Sequence, residues 1–367
     1  MPLAFTRELS DMEVVDVAIV GGGPAGASCA AFCVQAGLQT LLLEREKFPR
    51  EKVCGDCLNP SCWPVLRRLG VEDRVRVLPH GKLRAVEFIG IDRATVSISL
   101  PDDAEIAVKR SVFDDLLMSR AREVGAEIRQ SSTVTELSLT SNWTIVASEK
   151  VFEARVLVAA DGRNSTIARL CNLLPRIGKE RVALQSHIPL PANFGDRVVL
   201  QFLREGYSGQ APVNETELNV CLVGRPGSIP ALKVWAEKHF AVPREHVWRT
   251  ITPLTRAPLM PAHDNLFFIG DAARVVEPFT GEGIYYALRS AELAANAIAK
   301  LVRAQDRQSS LREFVRAHAA MYRGRLWINQ LARAAVLSPR IASLFVHAAR
   351  IQPAILRLLT AKITQTL

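Results

Sequence analysis

Three short stretches combine residue types and spacings that can do chemistry. The first is GGGPAG, where Gly21, Gly23 and Gly26 have the G-x-G-x-x-G spacing and Glu44 follows 18 residues after the last glycine. Glycines there permit a tight turn and close approach of the backbone to a pyrophosphate, while a carboxylate at that distance can accept from ribose hydroxyls. Pro24 and Ala25 lie inside the turn and Arg45 follows the acid. The second stretch holds Gly270-Asp271, then Pro278, then Gly281-Glu282-Gly283-Ile284. Two glycines at a helix start aim free N–H groups at an electron-rich or anionic group, and the helix dipole adds to that pull. Asp271, at a strand's carboxyl end, can accept from sugar-like hydroxyls. The third is a cysteine loop, Cys54-x-x-Cys57 with Cys62 five residues further on.

These groups act only if secondary structure delivers them to element ends. Residues 16–20 (DVAIV) predict a strand running into Gly21, an Ala-rich helix follows to about residue 36, and Gly37 stops it. Residues 41–43 predict a second strand that ends in Glu44. A strand, glycine turn, helix, strand and terminal acid make a dinucleotide-binding βαβ unit, where the glycine spacing alone is weak evidence. Residues 266–269 predict a buried strand before Gly270, and a long Ala/Leu-rich helix opens at residues 281–283. Alternation over 86–91, 95–100, 105–108 and about 182–223 predicts antiparallel strands. Arg110 opens a helix ended by Gly125. Residues 127–129, 133–139, 143–146 and 156–159 read as strands, the last leading into Asp161-Gly162-Arg163-Asn164-Ser165. Residues 232–239 read as a helix. The stretch from 311 is helical, broken near Pro339 and Pro353. There is no internal repeat or low-complexity linker, so two regions interleave along the chain.

The 367 residues suffice for one large or two intimate domains, and 49% hydrophobic residues with a mean hydropathy of +0.11 fit a compact enzyme. Residues 1–13 carry Arg7, Glu8, Asp11 and Glu13 and do not resemble a signal peptide. No run reaches the ~18 apolar residues of a spanning helix. Seven scattered cysteines point to a reducing compartment, so cytoplasm is expected. From Lys300 onward twelve Lys/Arg face two acids, a surplus of +10 in a chain of net +9, so the body is near neutral and the tail basic. Leu326, Trp327, Ile328, Leu331, Val336, Leu337, Ile341, Leu344, Phe345, Val346, Ile351, Ile355, Leu356, Leu358 and Leu359 interleave with the arginines. Such helices can lie at a membrane surface with arginine stems snorkelling, or pack on the body with an arginine-rich outer face. Nucleic-acid binding is not expected, because no recognition motif accompanies the charge.

With these pieces placed, the chain resembles the p-hydroxybenzoate hydroxylase-like flavoprotein superfamily. GGGPAG, Asp161-Gly162 within AADGRNS, and Gly270-Asp271 with Pro278 and TGEG match it in order, as does Arg110-x-x-Phe113-Asp114. The resemblance covers roughly the first 300 residues. It implies FAD: Gly21, Gly23, Gly26 and Glu44 at the ADP half, Arg110 near the pyrophosphate or ribityl chain, and Asp271 on the ribityl hydroxyls. It puts Gly281 to Ile284 at the flavin's pyrimidine edge and Pro278 near the ring. Asp161 would support the pyrophosphate side or serve the structure. Within the superfamily, Lys52-Val53-Cys54-Gly55-Asp56 and PFTGEGIYYA are similar to the geranylgeranyl reductase-type branch, whose members reduce C=C bonds in polyprenyl chains. That branch carries a Y-x-W-x-F-P-type strand in its substrate cavity. Here Tyr207, Gly209 and Ala211 occupy the pattern, so two inner aromatics are small and the pocket is reshaped.

Other readings of the same residues carry less. A redox disulfide at Cys57-x4-Cys62 would need a second glycine-rich nucleotide unit, and none follows Arg110. Zinc needs four ligands, and no second Cys/His pair is suitably spaced. Cys54 is therefore expected to line the pocket and to be a candidate proton donor, beside water. Lys82 could resemble the lysine of flavin halogenases, but their paired tryptophans are absent. The expected fold is α/β (α+β). A Rossmann-like FAD-binding domain with a parallel sheet takes residues 1–80, 101–180 and 255–300, and an interleaved antiparallel-sheet substrate domain takes 81–100 and 181–254. Basic C-terminal helices take 301–367. The expected activity is FAD-dependent reduction of a C=C bond in a small apolar substrate, or hydroxylation of an aromatic one, with NAD(P)H or another reductant as electron donor. The protein is expected in the cytoplasm, peripheral to a membrane if the basic tail meets anionic headgroups.

Overall fold

A computed structural model describes residues 14–102, 105–177, 180–303, 307–327, 330, 333–334 and 338–352. Residues 1–13, the break at Pro353, and Ile328, Leu331, Val336, Leu337, Ile355, Leu356, Leu358 and Leu359 lie outside them. In chain order the elements are β1 (Val14–Val20), α1 (Pro24–Gln35), β2 (Thr40–Leu43), β3 (Cys57–Leu58), α2 (Cys62–Leu69), α3 (Glu72–Arg76), β4 (Gly81–Leu83), β5 (Ala85–Ile89), β6 (Thr95–Ser99) and β7 (Glu105–Ala107). Then come α4 (Arg110–Glu123), β8 (Glu127–Arg129), β9 (Val134–Leu139), β10 (Trp143–Ala147), β11 (Lys150–Ala159) and α5 (Thr166–Leu170). β12 (Val182–Pro189), β13 (Arg197–Phe202), β14 (Gly206–Pro212), β15 (Glu217–Gly224), α6 (Ile229–Phe240) and β16 (Arg249–Ile251) follow. The chain continues through β17 (Ala262–His263), β18 (Leu266–Phe268), α7 (Gly283–Arg303), α8 (Arg307–Met321) and α9 (Pro339–Ile351).

The mixed α/β fold holds three sheets. In the first, β18, β11, β1, β2 and β8 lie side by side in parallel, with β17 antiparallel at one edge and the β9–β10 hairpin laid against β11. Its inner strands read as unbroken apolar runs because both faces are covered, one by α1, α4 and α7 and the other by the β9–β10 hairpin with α5. Val17, Ala18, Ile19, Leu42, Val156 and Val158 are fully buried. α1 and α7 pack closely because both present alanine: Ala27, Ala30 and Ala31 on α1, and Ala291, Ala294 and Ala295 on α7, are at most 1% exposed. The second sheet runs β16-β12-β15-β14-β13-β5-β6, antiparallel except for β13 beside β5. The small third sheet, β3-β7-β4, ties the cysteine loop to the strand before Arg110. The sequence grouped residues 105–108 with the antiparallel strands. Their sheet is separate, since strands this short are selected by contact: a Cβ on Gly81 would lie 1.8 Å from the Pro212 carbonyl, so β4 presses on β14.

The C-terminal helices close the molecule. α8 packs on α7, with the Phe314 ring 5.1 Å from Phe267. α9 buries Ala342, Val346 and Ala349 against Phe88 and Val96 of the second sheet. Arg325 of the tail points inward and is 4% exposed, while Arg303 stays exposed and donates to the Ala36 carbonyl. No helix among the described residues is long and apolar enough to cross a membrane.

Candidate active site

A cavity of about 890 Å³ lies between the first and second sheets and joins nearly all the residues singled out by spacing. Gly21, Gly23, Pro24, Ala25, Glu44, Arg45, Arg110, Asp161, Asp271, Pro278, Gly281, Gly283 and Ile284 line it, and so do Cys54, Tyr207, Gly209 and Ala211. Gly26 and Gly270 stand behind its wall. Gly26 lets α1 pass over the carbonyl of Gly21, and the Gly270 N–H donates to Ser290 Oγ at 2.9 Å.

At one end the glycine turn is locked to the acid of β2. The Gly22 N–H donates to Glu44 Oε2 at 2.6 Å and the Glu46 N–H to Oε1 at 2.9 Å, leaving a buried carboxylate at the mouth of the turn. A Cβ on Gly23 would meet only the guanidinium tips of Arg50 and Arg110, at 3.6 and 3.9 Å. Both arginines share the buried Asp114. Arg110 grips it with two 2.7 Å bonds one helical turn along α4, and Arg50 lies 3.2 Å away. Lys52 lines the same wall. Burial pulls its ammonium down to about 8, and Arg50, Arg110 and Arg163 reinforce that. The buried Nη1 of Arg163 lacks a hydrogen-bond partner, and that of Arg50 has only its ion pair to Asp114. Clustered cations with idle donors at a helix start suit a diphosphate, which would supply the missing acceptors. The residues therefore fit the FAD that the resemblance implies.

Asp161 Oδ2 accepts from the Thr166 and Ile167 N–H groups at 2.6 and 3.2 Å and so caps α5. Its buried Oδ1 has no partner, and burial pushes the carboxyl up. Asp271 Oδ2 accepts from Arg163 at 2.8 Å, which joins the two motifs across 108 residues. The turn Pro278–Gly281 is bracketed by two buried ion pairs. Glu277 meets Arg181 in a two-bond clasp at 3.0 and 2.7 Å, and Glu282 meets Arg325 at 3.0 Å. Gly281 adopts φ +69, and a Cβ on Gly281 or Gly283 would touch nothing within 4 Å. The start of α7 therefore faces open cavity.

At the other end the cavity turns apolar, walled by β5, β13 and β14. Phe279 anchors it, with its ring 5.4 Å edge-on from Tyr207, 5.5 Å from Phe202 and 6.2 Å from Phe88. The aromatics missing at Gly209 and Ala211 are thus replaced from other strands, and a Cβ on Gly209 would meet only Leu200, at 3.7 Å. The loop of Cys54 lies across the junction. Its carbonyl accepts from Asn219 Nδ2 at 2.9 Å and Cys221 Sγ at 3.2 Å, and burial pushes its thiol up. Cys57 and Cys62 are free thiols, bonded to the Gly55 carbonyl and Asn59 Oδ1. Next to them Asp56, at φ +63 and buried, binds His187 Nε2 at 2.8 Å. Lys82 is exposed and lines no part of the cavity.

Sequence reasoning missed Arg50, Lys52, Arg163, the Asp56–His187 pair and Phe279. The loop PREKVCGD had been read for its cysteine, though its cations gave the stronger signal.

Known proteins resemble the chain at this level. Conditioned medium factor receptor 1 from Dictyostelium discoideum is 29% identical over 81% of this chain, which spans only 65% of that protein's length. A menaquinone reductase from Mycolicibacterium smegmatis is also 29% identical, over 76% of this chain and 75% of its own. Among solved structures, flavin-dependent brominase Bmp2 superposes with a TM-score of 0.78 at 22% identity, covering 96% and 95% of the two chains. A geranylgeranyl bacteriochlorophyll reductase-like protein from Thermoplasma acidophilum superposes at 0.77 and 21%, covering 92% and 91%. At such identities these two share the fold. Residues 14–198, which carry the glycine turn, Glu44, Arg110 and Asp161, match the family described as FAD binding domain, and the chain belongs to that family.

Proposed function

We propose that the chain is an FAD-dependent oxidoreductase that reduces a C=C bond in an apolar lipid-like, isoprenoid or polycyclic substrate. The observation that carries this reading is the continuity of the cavity. A cationic, glycine-lined end runs past the start of α7 into a chamber walled by Val86, Phe88, Leu200, Phe202 and Phe279. FAD held there would supply the hydride in its reduced form, with NAD(P)H or another reductant as the electron source. Gly23, Glu44, Arg50 and Arg110 would hold its ADP half, and Asp271 with residues 281–284 its ribityl and ring portions. The N-terminus of α7 favours negative charge on the ring it faces. Apolar walls exclude water and orient the double bond. Cys54, kept as a thiol by burial, holds a proton at Sγ beside both compartments. A menaquinone reductase among the relatives and the reductase-like structure agree with this chemistry.

The competing reading is O2-dependent hydroxylation of an aromatic or polyketide-like substrate. A single turnover of reduced enzyme under strict exclusion of O2 decides between them: a saturated product supports reduction, and a product that forms only with O2 removes it. Cys54→Ala that keeps full activity would take the proton donor's role from that thiol. The basic C-terminal region is proposed to bring the chamber to an anionic membrane surface, since Trp327 and Ile351 are exposed beside Arg323 and Arg350. Equal liposome flotation with and without residues after Lys300 would sink that part.

A further inference from the structure

Among the polar side chains that line the cavity, Asn59 and Glu105 have no part in the reaction described above. Asn59 is 2% exposed, lines the cavity, and its Nδ2 has no hydrogen-bond partner. Its Oδ1 is engaged by the Cys62 thiol at 3.6 Å, which turns the amide so that the idle group is the donor. Glu105 also lines the cavity, and among the described residues its carboxyl has no hydrogen bond or ion pair. The two are neighbours. β3 and β7 pair antiparallel with Cys57 opposite Ala107 and Leu58 opposite Ile106, so one more step brings Asn59 across from Glu105. On β7, Glu105 and Ala107 share a face, and Ala107 packs with Leu83, Ala211 and Val213. Ala211, where a small residue replaces the aromatic of the related strand, belongs to the cluster on that face and lines the same cavity as Glu105.

Buried donors left idle persist in native proteins where a ligand or water completes them, and the half-buried Glu105 carboxyl offers a matching acceptor. We infer that Asn59 and Glu105 form a donor–acceptor recess for one hydroxyl group on an otherwise apolar substrate. The inference rests on the reading of the chamber as a substrate site. The substrate oxygen accepts from Asn59 Nδ2, and its O–H donates to a Glu105 oxygen. That geometry works with the carboxyl ionised or neutral, and burial alone pushes Glu105 up to about 7, which lessens the burden of a charge among apolar walls. The pair sets how the chain enters, with its oxygen anchored and its hydrocarbon body along β13 and β14.

The test is equilibrium binding to the oxidised FAD holoenzyme, so it does not depend on turnover or on which reaction occurs. The probes are farnesol and farnesene, hydrocarbon chains of equal carbon number with and without a hydroxyl, titrated against the flavin absorbance. Wild type should bind farnesol at least about tenfold more tightly, the worth of one good hydrogen-bonded pair. Glu105→Leu and Asn59→Leu should each erase that preference by weakening farnesol while leaving farnesene equal or tighter, and Glu105→Gln should retain most of it. Should one leucine variant fail to yield holoenzyme, the other reads the same recess. Equal affinity of wild type for both probes overturns the proposal, and so does a preference unmoved by these changes. FAD affinity is measured in parallel. If the variants release FAD about tenfold more easily and keep their ligand preference, the pair serves the flavin and the substrate recess is overturned. Reduction could fail as the chemistry while this preference stands, and the two readings are thereby separable.

Discussion

Around the start of α1, Gly21 and Gly26 have no spare room, although Gly23 between them faces the cavity. A Cβ on Gly26 would lie 1.8 Å from the Gly21 carbonyl oxygen, and one on Gly21 2.6 Å from that of Ala160. At the start of α7 a Cβ on Gly281 or Gly283 would meet nothing within 4 Å. Buried charge holds that second turn, through Glu277 on Arg181 before it and Glu282 on Arg325 after it. Backbone contact therefore shapes the ADP end, and ion pairs from distant segments shape the ring end. In the first, the Gly26–Gly21 contact and the Gly22–Glu44 bond lie within a 24-residue stretch of one βαβ unit, and Ala160 joins from the end of β11. The second needs residues at 181 and 325, which come together only in the folded chain.

Four experiments break or sharpen that contrast. The largest effect should come from Glu277→Ala, which leaves Arg181 buried without its counter-charge and should cost about 3–5 kcal/mol in denaturant unfolding. Replacing both, as Arg181→Met with Glu277→Leu, should recover most of that loss, and no recovery would mean that the pair does more than satisfy charge. Next, Gly26→Ala should cost about 3 kcal/mol and yield protein without bound flavin, because its clash is with backbone that cannot move aside. Retention of flavin would show that α1 has slack.

The third effect is an acid response confined to the support of α7. His318 on α8 is buried, and desolvation pulls it down to about 4. Because the folded value lies below the unfolded ~6.5, the unfolded chain takes up the proton first. Stability should then fall as pH drops from about 6.5 to about 4, by at most about 3 kcal/mol. His318→Phe should flatten that limb of the melting profile. A smaller cost, about 1 kcal/mol, should come from Gly281→Ala, since only the φ +69 backbone resists it. Gly283→Ala should leave stability nearly unchanged while weakening flavin binding, because its Cβ enters the cavity.

Legibility in the sequence followed locality. The turn at Gly21, the acid at Glu44 and the start of α7 were readable because glycine spacing, strand runs and helix stops operate over a few residues. The motif around Asp161 is compatible with two roles, and the folded chain shows its Oδ2 capping α5 while its buried Oδ1 has no hydrogen-bond partner. Arg50 and Lys52 stood in a loop noticed for its cysteine, and nothing local says that a loop's cations converge on Gly23. Phe279 was quoted within its motif, but its contacts with Phe88, Phe202 and Tyr207 join four separate segments. The tail's surplus of arginine suggested an outer face, yet Arg325 is drawn inside by Glu282.

By itself the sequence determined a dinucleotide bed and its two helix starts, since each depends on φ freedom, N–H direction and carboxylate placement within one supersecondary unit. Only the tertiary structure decided the shape and polarity of the chamber beside it. Its walls come from strands far apart in the chain, and side chains such as Asn59 and Glu105 acquire meaning from what is left unpaired around them. Burial, unlike turn geometry, is a property of the whole fold.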